Sequence, residues 1–380
     1  MSEFSPNPPP MAGRNHFLLR IESLRGLAAF SVAVHHSYLF IQPYGKWDGE
    51  INRGMIQAVF YGRGAVLCFF ILSGLVLGQS LRRLKPSKIS DILIFYVRRV
   101  LRIGPAFVVS LLFCLFLLAA FSFWKSTNPA ATDWYSSFYG FKPSWAVLLS
   151  NIRMRQTSLN GVTWSLYPEL VGSLMLPWLH IASKSLLARA SILLVLLGLQ
   201  LAPLPATGGL VGTLPCLWLF YLGYLIADLP AFFWAYLKNN AKMTTLLLAM
   251  AWLVCLATPH FGHHPVPYVL AMGFIIAVVF GVPQDKSFTF LDHRVTALLG
   301  RISYSFYLFH FPIVYSVASV MFNLFTPGFL TGHYLLMSTV LMLVSIAIAT
   351  PISWCSYQCI EKPFVSLGKR FSHKKLRHAD

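Results

Sequence analysis

Polar positions punctuate long apolar runs along most of this chain and seldom alternate with apolar ones. That pattern predicts membrane helices, not half-buried strands. A bilayer core takes about 20 mostly apolar residues per helix. Runs of that order fall at 24–41, 58–79, 105–124, 164–182, 190–207, 209–228, 243–259, 266–283, 299–321 and 334–357. The prediction is an all-α integral membrane protein with about ten transmembrane helices. The fifth and sixth runs are parted only by "APLPATGG". Pro and Gly interrupt several runs, which packed neighbours tolerate in a membrane.

Composition agrees. Of 380 residues, 56% are hydrophobic and 11% charged, against about a quarter charged in a soluble domain. The net charge of +18 raises nucleic acid as a partner. The basic residues lie between the apolar runs, however, where the positive-inside rule places them. Threading ten helices from a cytosolic N-terminus leaves seven of the 30 Lys and Arg outside: Lys46, Arg53, Arg63, Lys125, Lys142, Arg153 and Arg155. The other 23 fall inside, so both termini are expected in the cytosol. The expected organisation is a disordered, Pro-rich tail over 1–16 in place of a signal peptide, a membrane unit over 17–362 and a basic tail over 363–380. The six cysteines show no CxxC spacing and read as packing residues. The aromatic-rich outer segment 125–163 is either an acceptor-binding loop or an interfacial one.

Ionisable residues within the runs carry the chemistry, because they are costly in hydrocarbon. In "LRGLAAFSVAVHH", Arg25 and His36 are eleven residues apart. Eleven residues make three turns plus about 20°, so the two share a helix face some 16 Å apart, while His35 lies about 80° away. Glu22, three residues before Arg25, is a candidate partner for it. In "FYVRRVLRIGP", Arg99 and Arg102 share a face before the third run, and such guanidinium forks suit a phosphate. Glu169 in "GVTWSLYPEL" is the only acid well inside a run. A carboxylate there needs a partner, and His36 is the expected one. Ser303, Tyr307 and His310 form a polar stripe at i, i+4, i+7 that either lines a cavity, where it would bind substrate, or joins helices. His260, His263 and His264 offer metal-ligand atoms without a fourth ligand, and no metal site is predicted.

Taken in order, "ESLRGLAAFSVAVHH", "GRGAVLCFFILSGLVLG", "YVRRVLRIGPAF", "WSLYPEL", "FYLGYLIA", "LLGRISYSFYLFHFPI" and "YQCIEKPF" resemble the acyltransferase-3 family of integral membrane acyltransferases. That family O-acetylates bacterial surface polysaccharides. The resemblance covers nearly the whole chain. It implies that Arg25 and His36 correspond to the family's Arg-X10-His pair, Arg99 and Arg102 to its RxxR motif, and Glu169 to the acid of its WSL motif. Glu22 stands where the family usually has Asp. The expected activity moves an acetyl group from cytosolic acetyl-CoA to a hydroxyl of a surface polysaccharide or its lipid-linked precursor, at the cell membrane. Arg25, Arg99 and Arg102 would hold the donor phosphates, His36 would act as general base and Glu169 would orient it. The rival is a transporter or flippase for a lipid-linked sugar with a His/Glu/Arg proton relay. No paired halves of the kind transporters show are visible.

Overall fold

The computed structural model describes residues 11–44, 54–84, 89–120, 128–142, 144–202, 209–259, 265–282 and 286–376. Among them the architecture is all-α, and the one pairing of extended chain is a single bridge between Ile41 and Ala131. The main helices are α1 Met11–Ser37, α2 Gly62–Leu84, α3 Ile89–Ala120, α4 Leu166–Ala182, α5 Leu186–Leu201, α6 Leu217–Ile226, α7 Ala241–Ala257, α8 Val266–Gly281, α9 Arg294–Leu324, α10 Tyr334–Ser356 and α11 Lys362–Leu376.

The described part of each predicted apolar run is mostly helical, but not each run is a membrane span by length and apolarity. Five stretches qualify: Gly54–Leu84, Ile89–Ala120, Gly209–Ile226, Arg294–Leu324 and Tyr334–Arg370. A sixth is added if Ala231–Asn239 and α7, bent by 96°, form one span. The rest of the expected ten fall short for physical reasons. Helices α4, α5 and α8 have 17, 16 and 16 residues, roughly 24–26 Å against a core of about 30 Å. Helix α1 has 27 residues but carries Arg20, Glu22, Arg25, His35 and His36.

The spine of the molecule is the pair α1 and α9, which lie side by side and point the same way. Arg20 grips Asp292 with two nitrogens, Nε to Oδ1 at 2.9 Å and an NH2 group to Oδ2 at 2.7 Å. Ser23 donates to the Leu291 carbonyl at 2.7 Å. One turn on, Gly26 and Gly300 let the two backbones touch: a Cβ on Gly26 would lie 2.5 Å from the Gly300 nitrogen. Small residues allow such close approach in membrane proteins. Ten residues further along each helix, His36 meets His310. The spine thus has an arginine end and a histidine end.

Contacts fix the direction of the other helices. Gly62, opening α2, packs on the His35 ring, whereas Leu77 and Ser80 near its other end share a cavity with Arg25. Helix α2 therefore runs back to the arginine end. Helix α3 returns, from Arg99 beside that cavity to Phe113 against Phe309. Helix α4 descends again, with Ser173 near its middle held by Arg99. Helix α6 runs with α2, Phe220 against Gly74 and Tyr224 against Gly78. Helix α5 joins them by rising from Arg189, paired with Asp228 at 2.7 Å, to Gln200, which accepts from the Trp218 indole at 3.2 Å. Helix α8 descends from Tyr268 beside Gly64, and α10 from Tyr334, whose hydroxyl donates to the Tyr38 carbonyl at 2.8 Å. Helix α7 must then rise between α6 and α8. The chain traverses the molecule in strict alternation, and α1 begins and α10 finishes at the arginine end.

Two predicted boundaries shift. Helix α1 begins at Met11, so the part of the 1–16 tail that is described is helical, while residues 1–10 lie outside the described residues. The basic segment after 362 is likewise no simple tail. Helix α10 continues through a π-helical turn, Tyr357–Glu361, into α11. The wider turn comes just before Pro363, which has no N–H to give to an α-helical ladder.

Candidate active site

A cavity of about 500 Å³ opens at the arginine end. Its cationic lining is Arg25 from α1, Arg98, Arg99 and Arg102 from α3, Arg301 from α9 and Lys369 from α11; Glu22 is the one acid on the wall. These arginines differ in what they already hold. Arg99 is engaged, giving Nε to the Ser173 hydroxyl at 2.8 Å and an NH2 group to Glu169 at 2.5 Å. Arg98 Nε donates to the Gly368 carbonyl at 3.2 Å, which pins α11 against α3. Arg102 stands 3.9 Å from Glu361, too far for a hydrogen bond. Glu361 is buried and neither of its carboxylate oxygens has a hydrogen-bond partner. Arg25 makes no hydrogen bond or ion pair with another described residue. Arg301 gives only Nε, to the Ala297 carbonyl at 3.4 Å, so Arg25, Arg102 and Arg301 are the guanidinium groups with most capacity to spare.

A second cavity of about 420 Å³ lies at the histidine end. His35 and His36 of α1 face it together with Trp134, Phe138, Trp164 and Tyr307. His36 Nδ1 lies 3.1 Å from His310 Nε2, with the two ring planes within 12° of parallel. His310 Nδ1 in turn lies 3.2 Å from the Phe306 carbonyl oxygen one turn back. Trp134 and Phe311 hold the His36 ring from other sides, each at 5.3 Å between centroids. His310 itself is buried behind His36 and is not part of the cavity wall.

The walls of this second cavity depend on α9. Pro312 cannot donate to the Leu308 carbonyl one turn before it. Asn160, fully buried, fills that vacancy with an amide hydrogen bond of 2.8 Å. The bond anchors the 3₁₀ turn Gly161–Ser165 that carries Trp164. Tyr307 completes the anchor, its hydroxyl 3.0 Å from the Val162 carbonyl and 2.8 Å from the Ser165 hydroxyl. Trp134 sits on the short helix Asp133–Ser136, capped by Thr132.

A family model described as an acyltransferase domain matches residues 18–357. The chain belongs to the acyltransferase-3 family. With its membrane-length helices it is a multi-pass membrane acyltransferase. Neither a curated protein nor a solved structure matches it. In this acyltransferase-3 chain the matched segment supplies the whole described lining of the histidine-end cavity and most of that of the arginine-end cavity; Glu361, Gly368 and Lys369 lie beyond it.

The candidate residues of the acyltransferase sort into two groups. Arg25, Arg99, Arg102 and Ser303 line the arginine-end cavity. His36 and Tyr307 line the histidine-end cavity. The stripe Ser303, Tyr307, His310 is thus both cavity wall and helix joint, and His310 belongs to the joint. Glu169 does not meet His36. Its carboxylate takes bonds from Arg99 and, at 3.2 Å, from the Ser73 hydroxyl. His35 also reaches the histidine-end cavity, but only His36 meets His310. Among the described residues no group of three His, Cys, Asp or Glu is placed to hold a metal ion, and His260, His263 and His264 lie outside them. Trp134, Phe138, Asn160 and Glu361 were not singled out from the sequence. A tryptophan in a polar outer loop and an Asn before "GVTWS" are faint signals, and both become functional only through α9.

Proposed function

We propose that this acyltransferase takes an acetyl group from acetyl-CoA seated in the arginine-end cavity. It passes the group to a hydroxyl of a surface polysaccharide, or of its lipid-linked precursor, in the histidine-end cavity. The observation that carries this reading is the placement of an unpaired Arg25 and a pocket-facing His36 on one helix, eleven residues apart. That spacing is roughly 16 Å along the axis, a length the extended pantetheine arm of CoA covers between pyrophosphate and thioester. Guanidinium groups bind phosphate through paired charge-assisted hydrogen bonds, and Arg25 and Arg102 both retain nitrogens able to do so. The excess of Lys and Arg around the arginine end suits the cytosol, where acetyl-CoA is made. At the other end, the flat faces of Trp134 and Trp164 suit the C–H faces of a sugar ring. His36 would take the proton of the acceptor hydroxyl as that oxygen attacks the thioester carbonyl.

Calorimetry with acetyl-CoA and the full-length protein in lipid nanodiscs tests the donor site. The wild type is expected to bind one equivalent, and Arg25→Ala to bind about tenfold or more weakly. No heat of binding from the wild type would refute the donor assignment and favour a transporter.

A further inference from the structure

We infer that His310 is a positioning residue that holds His36 in the tautomer with its lone pair on Nε2. The inference rests on the acyl-transfer reading for its purpose, but its geometry stands apart from that reading. A carbonyl oxygen accepts hydrogen bonds and never donates them, so the 3.2 Å contact with the Phe306 oxygen places the hydrogen of His310 on Nδ1. A neutral imidazole carries one N–H. His310 Nε2 is therefore an acceptor, and the donor at 3.1 Å must be His36 Nδ1. His36 has then used its single hydrogen, and its Nε2 holds the lone pair.

Among the described residues no other hydrogen bond to His36 makes this choice. Trp134 and Phe311 fix the plane of the ring by packing, and packing does not distinguish two tautomers. Free histidine in water favours the opposite one, with hydrogen on Nε2 and no basic atom there. The chain Phe306 carbonyl, His310, His36 corrects that preference through two hydrogen bonds, both inside the spine α1–α9.

In the reaction the acceptor oxygen bonds to the thioester carbonyl carbon while its proton passes to His36 Nε2. The C–S bond breaks and the CoA thiolate leaves with the electron pair. The proton on Nε2 then goes to that thiolate, giving CoA thiol and an ester. While His36 is an imidazolium, its Nδ1–H bond to His310 becomes charge-assisted and stronger. His310 lies off both cavity walls.

The test uses full-length protein in nanodiscs, with water as the acceptor probe. Release of CoA thiol from acetyl-CoA measures turnover. Diethyl pyrocarbonate, which attacks an imidazole lone pair, measures access to the His36 lone pair by mass spectrometry without any donor. His310→Leu should lower kcat roughly 100-fold with the KM for acetyl-CoA unchanged, and should slow carbethoxylation of His36 several-fold. His310→Gln can set an amide oxygen where Nε2 stood and should recover much of both losses. Equal His36 carbethoxylation rates in wild type and His310→Leu would overturn the inference, as would a Gln variant no better than Leu. If the wild type releases no CoA thiol but His310→Leu still slows modification, the acyl-transfer reading fails and the tautomer assignment stands.

Discussion

Arg99 and Arg102 are three residues apart on one face of α3, yet their environments give them different work. Arg99 is committed to Glu169 and Ser173 in a half-buried ion pair. Removing one partner leaves a partly desolvated charge uncompensated, at a cost below the roughly 3–5 kcal/mol of a fully buried pair. Arg99→Ala should therefore lower thermal stability, and adding Glu169→Gln should restore part of it, read as Tm in detergent. Arg102→Ala should leave Tm nearly unchanged and weaken acetyl-CoA binding about tenfold or more, read by calorimetry. Glu361, 3.9 Å from Arg102 and without a hydrogen bond, offsets positive charge at the donor cavity. Glu361→Gln should tighten CoA binding severalfold, since the amide keeps the shape and removes the negative charge. Helical period alone made the shared face of Arg99 and Arg102 legible in the sequence, as it did for Arg25. It carried no information about which neighbouring helix each side chain would meet. Glu169 turned to α3 and His36 to α9 for that reason.

At the level of elements, backbone contact between helices decides the geometry of both cavities. Gly26 and Gly300 seat α1 on α9, and Gly74 and Gly223 seat α2 on α6; a Cβ at either Gly74 or Gly223 would run into the facing backbone carbonyl. Gly300→Val or Gly223→Val should sharply reduce folded protein on size-exclusion chromatography, because backbone on both sides leaves no room to give. Asn160→Ala tests a subtler joint. It leaves the Leu308 carbonyl without a partner beside Pro312 and should cost about 1–3 kcal/mol. It should also loosen the histidine-end wall, so that hydrolysis of acetyl-CoA by water falls while donor binding holds. The apolar runs announced the helices, but they gave no sign of these crossings. A glycine inside a run reads as an interruption until the partner helix is known. The 125–163 segment was similarly opaque, since its polar-aromatic composition suits a surface loop as well as the cavity wall that Trp134 and Phe138 form.

Across the whole molecule, the alternating course of α1 to α10 matches the ten runs read from hydropathy, although only five or six stretches meet the length and apolarity of a span. The discrepancy is physical. Helices α4, α5 and α8 are short, and of the charges on α1, Glu22 and Arg25 face a cavity while Arg20 is paired with Asp292. Cysteine-accessibility labelling tests the arrangement: single cysteines at Arg98 and Arg301 should react from the same side of the membrane, and one at Thr157 from the opposite side.

The seating of α1 on α9 also bears on how the enzyme does its work. Backbone contact at Gly26 and Gly300, together with the side-chain pair of Arg20 and Asp292, resists the sliding by which the halves of a carrier move. On the proposed function, the distance between donor and acceptor compartments stays constant through the cycle. The donor arm would carry its acyl group along α1 while the helices hold still, so that the thioester bond breaks and the ester bond forms at one place, beside His36. The chemistry acquires a direction in space from the packing of two glycines.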